Sequence, residues 1–283
     1  MGIYDTIIIG GGPAGITAGI YAKRLGLDTL VIERELIGGK LHYIDKIFNY
    51  PGYPSISGIY LAEIMSKQLK ATGVDILLNE VDGIILDGKI KKVYTKSKSY
   101  DCKSIIVCTG SESKRHPKIN GYHVSHCELC DGFLCQSKNS SVIGGGNSAY
   151  EAAIYLSSIC NQVNIIVRGE VSAEKTLIDS VKKLNNVREI KAAQAERYDG
   201  EKLILSNGET IESEYVFVKI GQTLGKRFEG LKISNGFYAN DSGVDGIYVA
   251  GDCIDKEIKQ IVTATSDGAK SAINCFKFLK KIQ

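Results

Sequence analysis

The chain has no tryptophan and only 4 prolines in 283 residues, while glycine is frequent at 31. With 43% hydrophobic and 24% charged residues, its composition is that of an ordinary globular protein. A disordered, collagenous or coiled-coil chain is thereby excluded. Neither sign of charge dominates, since 35 basic residues face 32 acidic ones for a net charge of +3. That balance argues against nucleic acid or an anionic membrane as the main partner. A long apolar span is also missing. The longest uncharged stretch, Thr6 to Ala22, is broken by glycines and by Pro13. Asp5 precedes it where a secretory leader would carry basic residues. The stretch is short for a membrane-crossing helix. The expectation is a soluble, cytoplasmic protein without a targeting segment. At about 150 residues per domain, the length predicts two domains.

Eight cysteines in such a chain do not read as a disulfide framework. Cys102, Cys108, Cys135, Cys160, Cys253 and Cys275 stand singly, mostly in apolar or mixed segments, and are expected as small core or near-surface residues. Only Cys127 and Cys130 are close enough in sequence to share chemistry.

The start reads as strand, turn, helix, strand. Tyr4 to Ile9 is a β-branched apolar run, Gly10-Gly11-Gly12-Pro13-Ala14-Gly15 follows, and a helical pattern continues to about Leu25. Thr29 to Ile32 is the second strand, closed by Glu33. This is the βαβ signature of a dinucleotide site. Gly10 permits the tight turn, Gly12 lets the backbone approach a pyrophosphate, and Gly15 lets helix and strand pack closely. The phosphates would meet the amides of the helix N-terminus, and Glu33 would accept hydrogen bonds from a ribose.

A second copy runs from Ser141 through Gly144-Gly145-Gly146-Asn147-Ser148-Ala149, with a helix over Tyr150 to Leu156 and a strand over Val163 to Val167. Ile247 to Asp252 reads as a strand ending in an acid, followed by a helix from about Thr263 to Leu279. Asp87-Gly88 marks a hairpin turn. The predicted fold is α/β, with two dinucleotide-binding, Rossmann-like domains, the second inserted in the first. The expected boundaries are 1–113 with 242–283 for the first domain and 114–241 for the inserted one.

Cys127-Glu128-Leu129-Cys130-Asp131-Gly132 is the sharpest local chemistry. The spacing allows a small disulfide ring or two metal ligands. Zinc normally takes four ligands. The chain has no second paired-cysteine motif, although His123 and His126 lie nearby. Redox chemistry is therefore favoured and no metal is expected. A helix start at the pair would lower a thiol pKa, and a protonated His126 would add to that.

Taken in order, seven landmarks resemble the low-molecular-weight thioredoxin reductase family of flavoproteins, over nearly the whole chain. They are Gly10 to Gly15, Gly38-Gly39-Lys40-Leu41, Asn49-Tyr50-Pro51-Gly52, Cys127 to Phe133, Gly144 to Ala149, Gly251-Asp252 and Lys259-Gln260-Ile261. The resemblance implies FAD in the first domain, a disulfide beside the flavin, a homodimer and a thioredoxin-like acceptor. It makes Cys130 the cysteine facing the flavin, Cys127 the one that attacks the partner disulfide, and Asp131 the acid/base. The implied FAD-binding positions are Gly10, Gly12, Pro13, Ala14, Gly15, Glu33, Gly39, Lys40, Leu41, Asn49, Gly110, Gly251, Asp252, Lys259, Gln260 and Ile261. The resemblance also implies rotation of the inserted domain, with hinges expected at 111–118 and 242–245.

The departures from the family concern the electron donor. Members that use NADPH carry a His-Arg-Arg cluster after the second domain's strand, and a further Arg, around the ribose 2′-phosphate. Here Val167-Arg168-Gly169-Glu170-Val171-Ser172-Ala173 stands in that place. Only Arg168 remains, and Glu170 adds a negative charge. Each charge-assisted donor is worth about 1.5–3 kcal/mol, so the loss weakens phosphate binding by several kcal/mol. Asn147 stands where the family often has Asp, and the stretch 221–246 is compressed. With these departures the chain most resembles the ferredoxin-dependent, pyridine-nucleotide-independent branch of the family, and that resemblance implies reduced ferredoxin as the donor, ahead of NADPH and NADH. An acidic ferredoxin would suit Lys89, Lys91, Lys92, Lys96 and Lys98 on the hairpin, and Lys114, Arg115 and Lys118 in the linker. Those residues equally suit a solvated lysine face. The alternatives are a conventional NADPH-dependent thioredoxin-disulfide reductase and a non-catalytic flavin redox sensor, which would have no need of a proton-managing Asp131.

Overall fold

The computed structural model describes residues 2–44, 46–86 and 88–282. The chain divides into two compact units, Met1–Glu112 with Thr223–Gln283, and Ser113–Gln222. The first opens with β1 (Tyr4–Ile9), α1 (Pro13–Arg24), β2 (Thr29–Glu33), α2 (Gly58–Lys70) and β3 (Asp75–Leu78). Next come β4 (Val81–Ile85), β5 (Lys91–Thr95), β6 (Ser99–Val107) and the short β7 (Ser111–Ser113). β2 is buried at every position, as a parallel strand covered on both faces must be. β4 and β5 pair antiparallel, flanking the predicted hairpin turn, of which Asp87 lies outside the described residues. β5 alternates strictly, with Lys91, Val93 and Thr95 inward. Lys91 is thus only 3% exposed, and its Nζ donates to the Lys103 carbonyl. It does not belong to an exposed basic face, contrary to the sequence expectation, because the period of two turns it into the sheet.

The second unit contains β8 (Val124–Ser125), α3 (Glu128–Asp131), β9 (Asn139–Ile143), α4 (Asn147–Ser157), β10 (Gln162–Val167), α5 (Lys175–Val181) and β11 (Val187–Lys191). The meander β12 (Ala195–Tyr198), β13 (Lys202–Leu205) and β14 (Thr210–Glu212) precedes β15 (Tyr215–Val218). The parallel sheet has the order β11-β10-β9-β15-β8. Tyr150, Leu156, Val163, Ile165 and Phe217 pack on one of its faces, and Ile143, Ile166, Leu203 and Val216 on the other.

After β16 (Gln222–Leu224) the chain adds β17 (Ile233–Ser234), β18 (Phe237–Tyr238), β19 (Ile247–Val249) and α6 (Ile261–Ile282) to the first unit. Its sheet runs β3-β2-β1-β6-β5-β4, with β19 also parallel to β6. The return falls at 222/223 and not at 241/242 as expected. Phe228, Leu231 and Tyr238 bury against Ile7, Ile9, Ile105 and Val107, which fixes residues 223–241 to the first unit's core. The expected second hinge is likewise inside this unit, since Ser242 Oγ donates to the Ile247 carbonyl at 2.8 Å. α6 crosses α1 at Gly268, where a Cβ would stand 2.1 Å from the Ala14 carbonyl oxygen. Among the described residues, no helix is long and apolar enough to cross a membrane.

Candidate functional site

The first glycine turn joins β1 to α1. Gly10 sits at φ +104°, and a Cβ there would lie 2.3 Å from the Cys108 carbonyl oxygen. At Gly15 a Cβ would come within 1.8 Å of the Gly10 carbonyl oxygen, so strand and helix approach as only glycine permits. Gly12, the N-cap, faces open space, and α1 has neither a side-chain cap nor an acidic residue in its first turn. Pro13 at the first helical position gives up an amide that the helix could not use. The remaining amides and the helix dipole are directed at that open space, the arrangement an anionic pyrophosphate requires. Glu33, 8% exposed, accepts from the Gly11 amide at 2.6 Å and the Glu35 amide at 3.0 Å. Each of its oxygens retains acceptor capacity for a ribose hydroxyl.

Distant segments of this unit converge on the same cradle. Gly39 places its Cβ direction 3.1 Å from Gly12 Cα, and the following 3₁₀ turn buries Leu41. Lys40 Nζ donates to Ser111 Oγ at 2.9 Å and to Asp252 Oδ2 at 3.3 Å. Ser111 follows Gly110, whose φ of +66° turns the chain after β6. Asn49 donates to Gln260 Oε1 at 3.0 Å. Gly251 has φ +83°, and a Cβ there would stand 2.8 Å from that of Ala14. Lys259 Nζ lies 3.1 Å from the centre of the Phe237 ring, and burial lowers its pKa to about 8. Ile261 begins α6. The predicted cofactor positions all lie in the first unit, and the uncapped α1 N-terminus, the open space at Gly12 and Glu33 suit a dinucleotide. Ser111 and Phe237 were not anticipated, because no local motif marks them.

The second glycine turn repeats the first turn's backbone. The Gly144 amide donates to the Ile166 carbonyl at 3.0 Å, as the Gly10 amide donates to Ile32 at 2.8 Å. A Cβ at Gly144 would lie 2.3 Å from the Lys219 carbonyl oxygen, the counterpart of Cys108. The register sets Ile166 opposite Ile143 and Ile32 opposite Ile9, so Val167 takes the place of Glu33. The loop beyond Val167 folds back, and the Gly145 carbonyl accepts from the Ser172 and Ala173 amides at 2.8 and 3.1 Å. Asn147 donates to Glu174 Oε1 at 3.0 Å and accepts from its amide at 2.8 Å.

The redox pair is a disulfide between Cys127 and Cys130, with Cα atoms 5.3 Å apart. Cys127 is the N-cap of the single-turn α3. The Cys127 amide donates to Ser125 Oγ at 3.0 Å, and Ser125 in turn donates to Asp131 Oδ2 at 2.6 Å. Burial raises the Asp131 pKa, opposed by the Ser125 hydrogen bond. Lys219 Nζ pairs with Glu128 Oε2 at 2.5 Å, with side chains 13% and 14% exposed, and fixes α3 to the end of β15. Burial lowers the His126 pKa, opposed by the Val218 carbonyl oxygen, which lies 3.2 Å from Nδ1. Ser125 and Lys219 were missed because each acts on a partner that only the folded chain supplies. Among the described residues, no group of three or more His, Cys, Asp or Glu side chains is placed to hold a metal ion.

Residues 4–268 match the pyridine nucleotide-disulphide oxidoreductase family. The chain is 35% identical to the 34.2 kDa protein in the rubredoxin operon of Clostridium pasteurianum, covering 97% of each. It is also 35% identical to the thioredoxin reductase of Bacillus subtilis, over 99% of this chain and 96% of that one. Among solved structures, the thioredoxin reductase of Streptococcus pyogenes superposes with a TM-score of 0.90, at 30% identity over 99% of both chains.

Proposed function

The chain belongs to the pyridine nucleotide-disulphide oxidoreductases, in their low-molecular-weight thioredoxin reductase branch, and on that premise we propose that it is a flavoprotein reducing the disulfide of thioredoxin. The observation that carries this reading is the Cys127–Cys130 disulfide, where the Cys127 amide donates to Ser125 and Ser125 donates to a half-buried Asp131. FAD is the cofactor, and the α1 amides, Glu33, Lys40, Asn49, Asp252 and Gln260 would hold it at the first glycine turn. When bound, it supplies the electron pair that opens the Cys127–Cys130 disulfide.

The opened pair carries two thiols. The Cys127 thiolate attacks one sulfur of the thioredoxin disulfide, forming a mixed disulfide and expelling the other sulfur as a thiolate. Cys130 then attacks Cys127, closing the enzyme disulfide and releasing the second sulfur. Each departing thiolate takes up a proton. This reading makes Asp131 the acid that delivers it, a role that its raised pKa supports.

Reduced ferredoxin is the donor in this reading. Val167 leaves the second turn without the carboxylate that binds ribose hydroxyls, and Arg168, with Glu170 close by in sequence, is the only cation of 167–173 for a 2′-phosphate. NADPH is the second reading, supported by the intact backbone of that turn. Anaerobic mixing decides between them. Reduced ferredoxin should bleach the flavin absorbance, and micromolar NADPH or NADH should not. Rapid bleaching by NADPH would transfer the donor role to it. Cys127→Ser and Cys130→Ser should each abolish thioredoxin-coupled insulin reduction driven by ferredoxin. A homodimer completes the proposal. Tyr43, Ile59 and Tyr60 of the first unit are 74%, 61% and 55% exposed, a surface that a second copy would cover, and light scattering checks the mass in solution.

A further inference from the structure

Three lysines stand in the part of the first unit where the cofactor positions lie, and they are not partnered alike. Lys40 pairs with Asp252, and Lys256 pairs with Asp267. Lys259 forms no ion pair among the described residues, and its Nζ lies over the Phe237 ring, 3.1 Å from the centre. The fold fixes that ring. Asn235 and Gly236, at φ +48° and +82°, form the two-residue turn of the β17–β18 hairpin, and Phe237 is the first residue after it. Tyr238 is 0% exposed, its hydroxyl accepting from the Phe228 amide at 2.7 Å and donating to the Lys226 carbonyl at 3.0 Å. Alternation therefore leaves Phe237 on the opposite face of the hairpin. Asp255 clamps the hairpin to the segment that carries Lys259. Its Oδ2 accepts from Ser234 at 2.6 Å and from Asn235 at 3.0 Å, and its amide donates to the Tyr238 carbonyl at 2.8 Å.

Sheet order assigns this region to one half of a dinucleotide. Glu33 ends β2 on one side of β1, whereas Gly110 and Gly251 follow β6 and β19 on the other. With a ribose at Glu33 and the pyrophosphate at α1, the flavin half extends over the ends of β6 and β19. Resting on the reading of the chain as an FAD enzyme fed by ferredoxin, we propose that Lys259 is the counter-charge for the reduced flavin and that Phe237 positions it. A ferredoxin delivers electrons one at a time and no hydride. Two electrons and one proton taken up by FAD leave one negative charge on its ring system, and a fixed cation beside it favours that form. An aromatic face holds an ammonium without cancelling its charge, which a carboxylate would do. At neutral pH Lys259 remains a cation, since burial lowers its pKa only to about 8.

The test measures the midpoint potential of the FAD-loaded full chain by equilibration with reference dyes. Lys259→Met should shift the equilibrium toward oxidised flavin about tenfold or more, which is about 30 mV for two electrons. Lys259→Gln, which keeps a polar chain, should do the same, and Lys259→Arg should leave the potential in place. Phe237→Leu should give part of that shift, about threefold, and Phe237→Tyr, which keeps the ring, none. In the Lys259→Met background Phe237→Leu should add nothing, because its effect runs through the lysine. If both charge-free Lys259 variants keep the native potential, Lys259 is not the counter-charge and the proposal is overturned. If Phe237→Leu shifts the potential equally with and without Lys259, Phe237 does not position it, and the proposal is overturned there. A native chain that takes up no FAD overturns the flavoprotein reading itself, and this inference with it.

Discussion

The glycine turns of the two units share a backbone and differ in their side chains. In each, the first glycine occupies a position where a Cβ would lie 2.3 Å from a carbonyl oxygen of a neighbouring segment, Cys108 in one unit and Lys219 in the other. In each, the third glycine is the N-cap of a helix without a side-chain cap. Around this common frame Glu33 is exchanged for Val167, Gly15 for Ala149 and Cys108 for Lys219. The first turn retains a carboxylate, while the second extends a lysine to Glu128 beside the redox pair. The glycine pattern therefore specifies a cradle, and the residue closing the second strand, with the loop beyond it, decides what the cradle can hold.

The largest effect expected is at the first turn. A Cβ at Gly12 meets nothing within 4 Å, so Gly12→Val leaves the protein's own packing intact and intrudes only on a ligand. Loss of the N-cap glycine itself costs about 1 kcal/mol. Flavin content, read from the visible absorbance of the purified protein, should fall at least about tenfold on the affinity scale for each 1.4 kcal/mol of lost contact. Gly146→Val in the second turn should leave it unchanged. Equal flavin loss in both variants would erase the distinction between the turns. The next effect restores charge to the second turn. Gly169 is exposed with open space at its Cβ. Gly169→Arg with Ser172→Arg should tighten NADPH binding by about tenfold or more, at 1.5–3 kcal/mol per charge-assisted bond, and leave NADH unaffected. Calorimetric titration measures both.

A smaller effect concerns Lys219 as the mount of the redox helix. Lys219→Met strands Glu128 in a largely buried position and should cost about 2 kcal/mol, less than a fully buried pair because both side chains keep some exposure. Lys219→Met combined with Glu128→Leu should recover most of it, since the pair is then replaced by apolar groups. Urea denaturation of the holoprotein provides the comparison. No recovery in the double variant would show that Lys219 acts on something other than Glu128.

The sequence made both turns legible because their signals are local. A β-branched run, a glycine cluster and a helical period lie within a short window, and the CxxC motif is as compact. What it hid depends on tertiary packing. Residues 223–241 carry no motif, and only the burial of Phe228, Leu231 and Tyr238 assigns them to the first unit. Ser125 and Lys219 become site residues through bonds to Asp131 and Glu128 that the fold creates. Lys91 is the exception, because the alternation of β5 already points it inward.

The contrast between units extends to their carboxylates, and here the expected effect is smallest. Glu33 accepts two backbone amides, whereas Asp131 accepts a single hydroxyl from Ser125. Burial raises the Asp131 pKa above its ordinary value, so the folded state binds this proton more tightly than the unfolded chain does. The stabilisation is complete below the unfolded pKa of about 3.9 and is lost as pH rises through the raised folded value. Asp131→Asn cannot ionise. Its Tm relative to the native protein should therefore climb with pH across that window, by about 2 °C or less for a chain of this size. The same substitution should slow thioredoxin reduction at every pH, because the amide has no proton to deliver. If the Tm difference stays flat with pH while turnover still falls, Asp131 does not titrate in the folded protein over that window. Its contribution would then be to orient Ser125 and the Cys127 amide, which would bring it closer to the role Glu33 plays in the first turn.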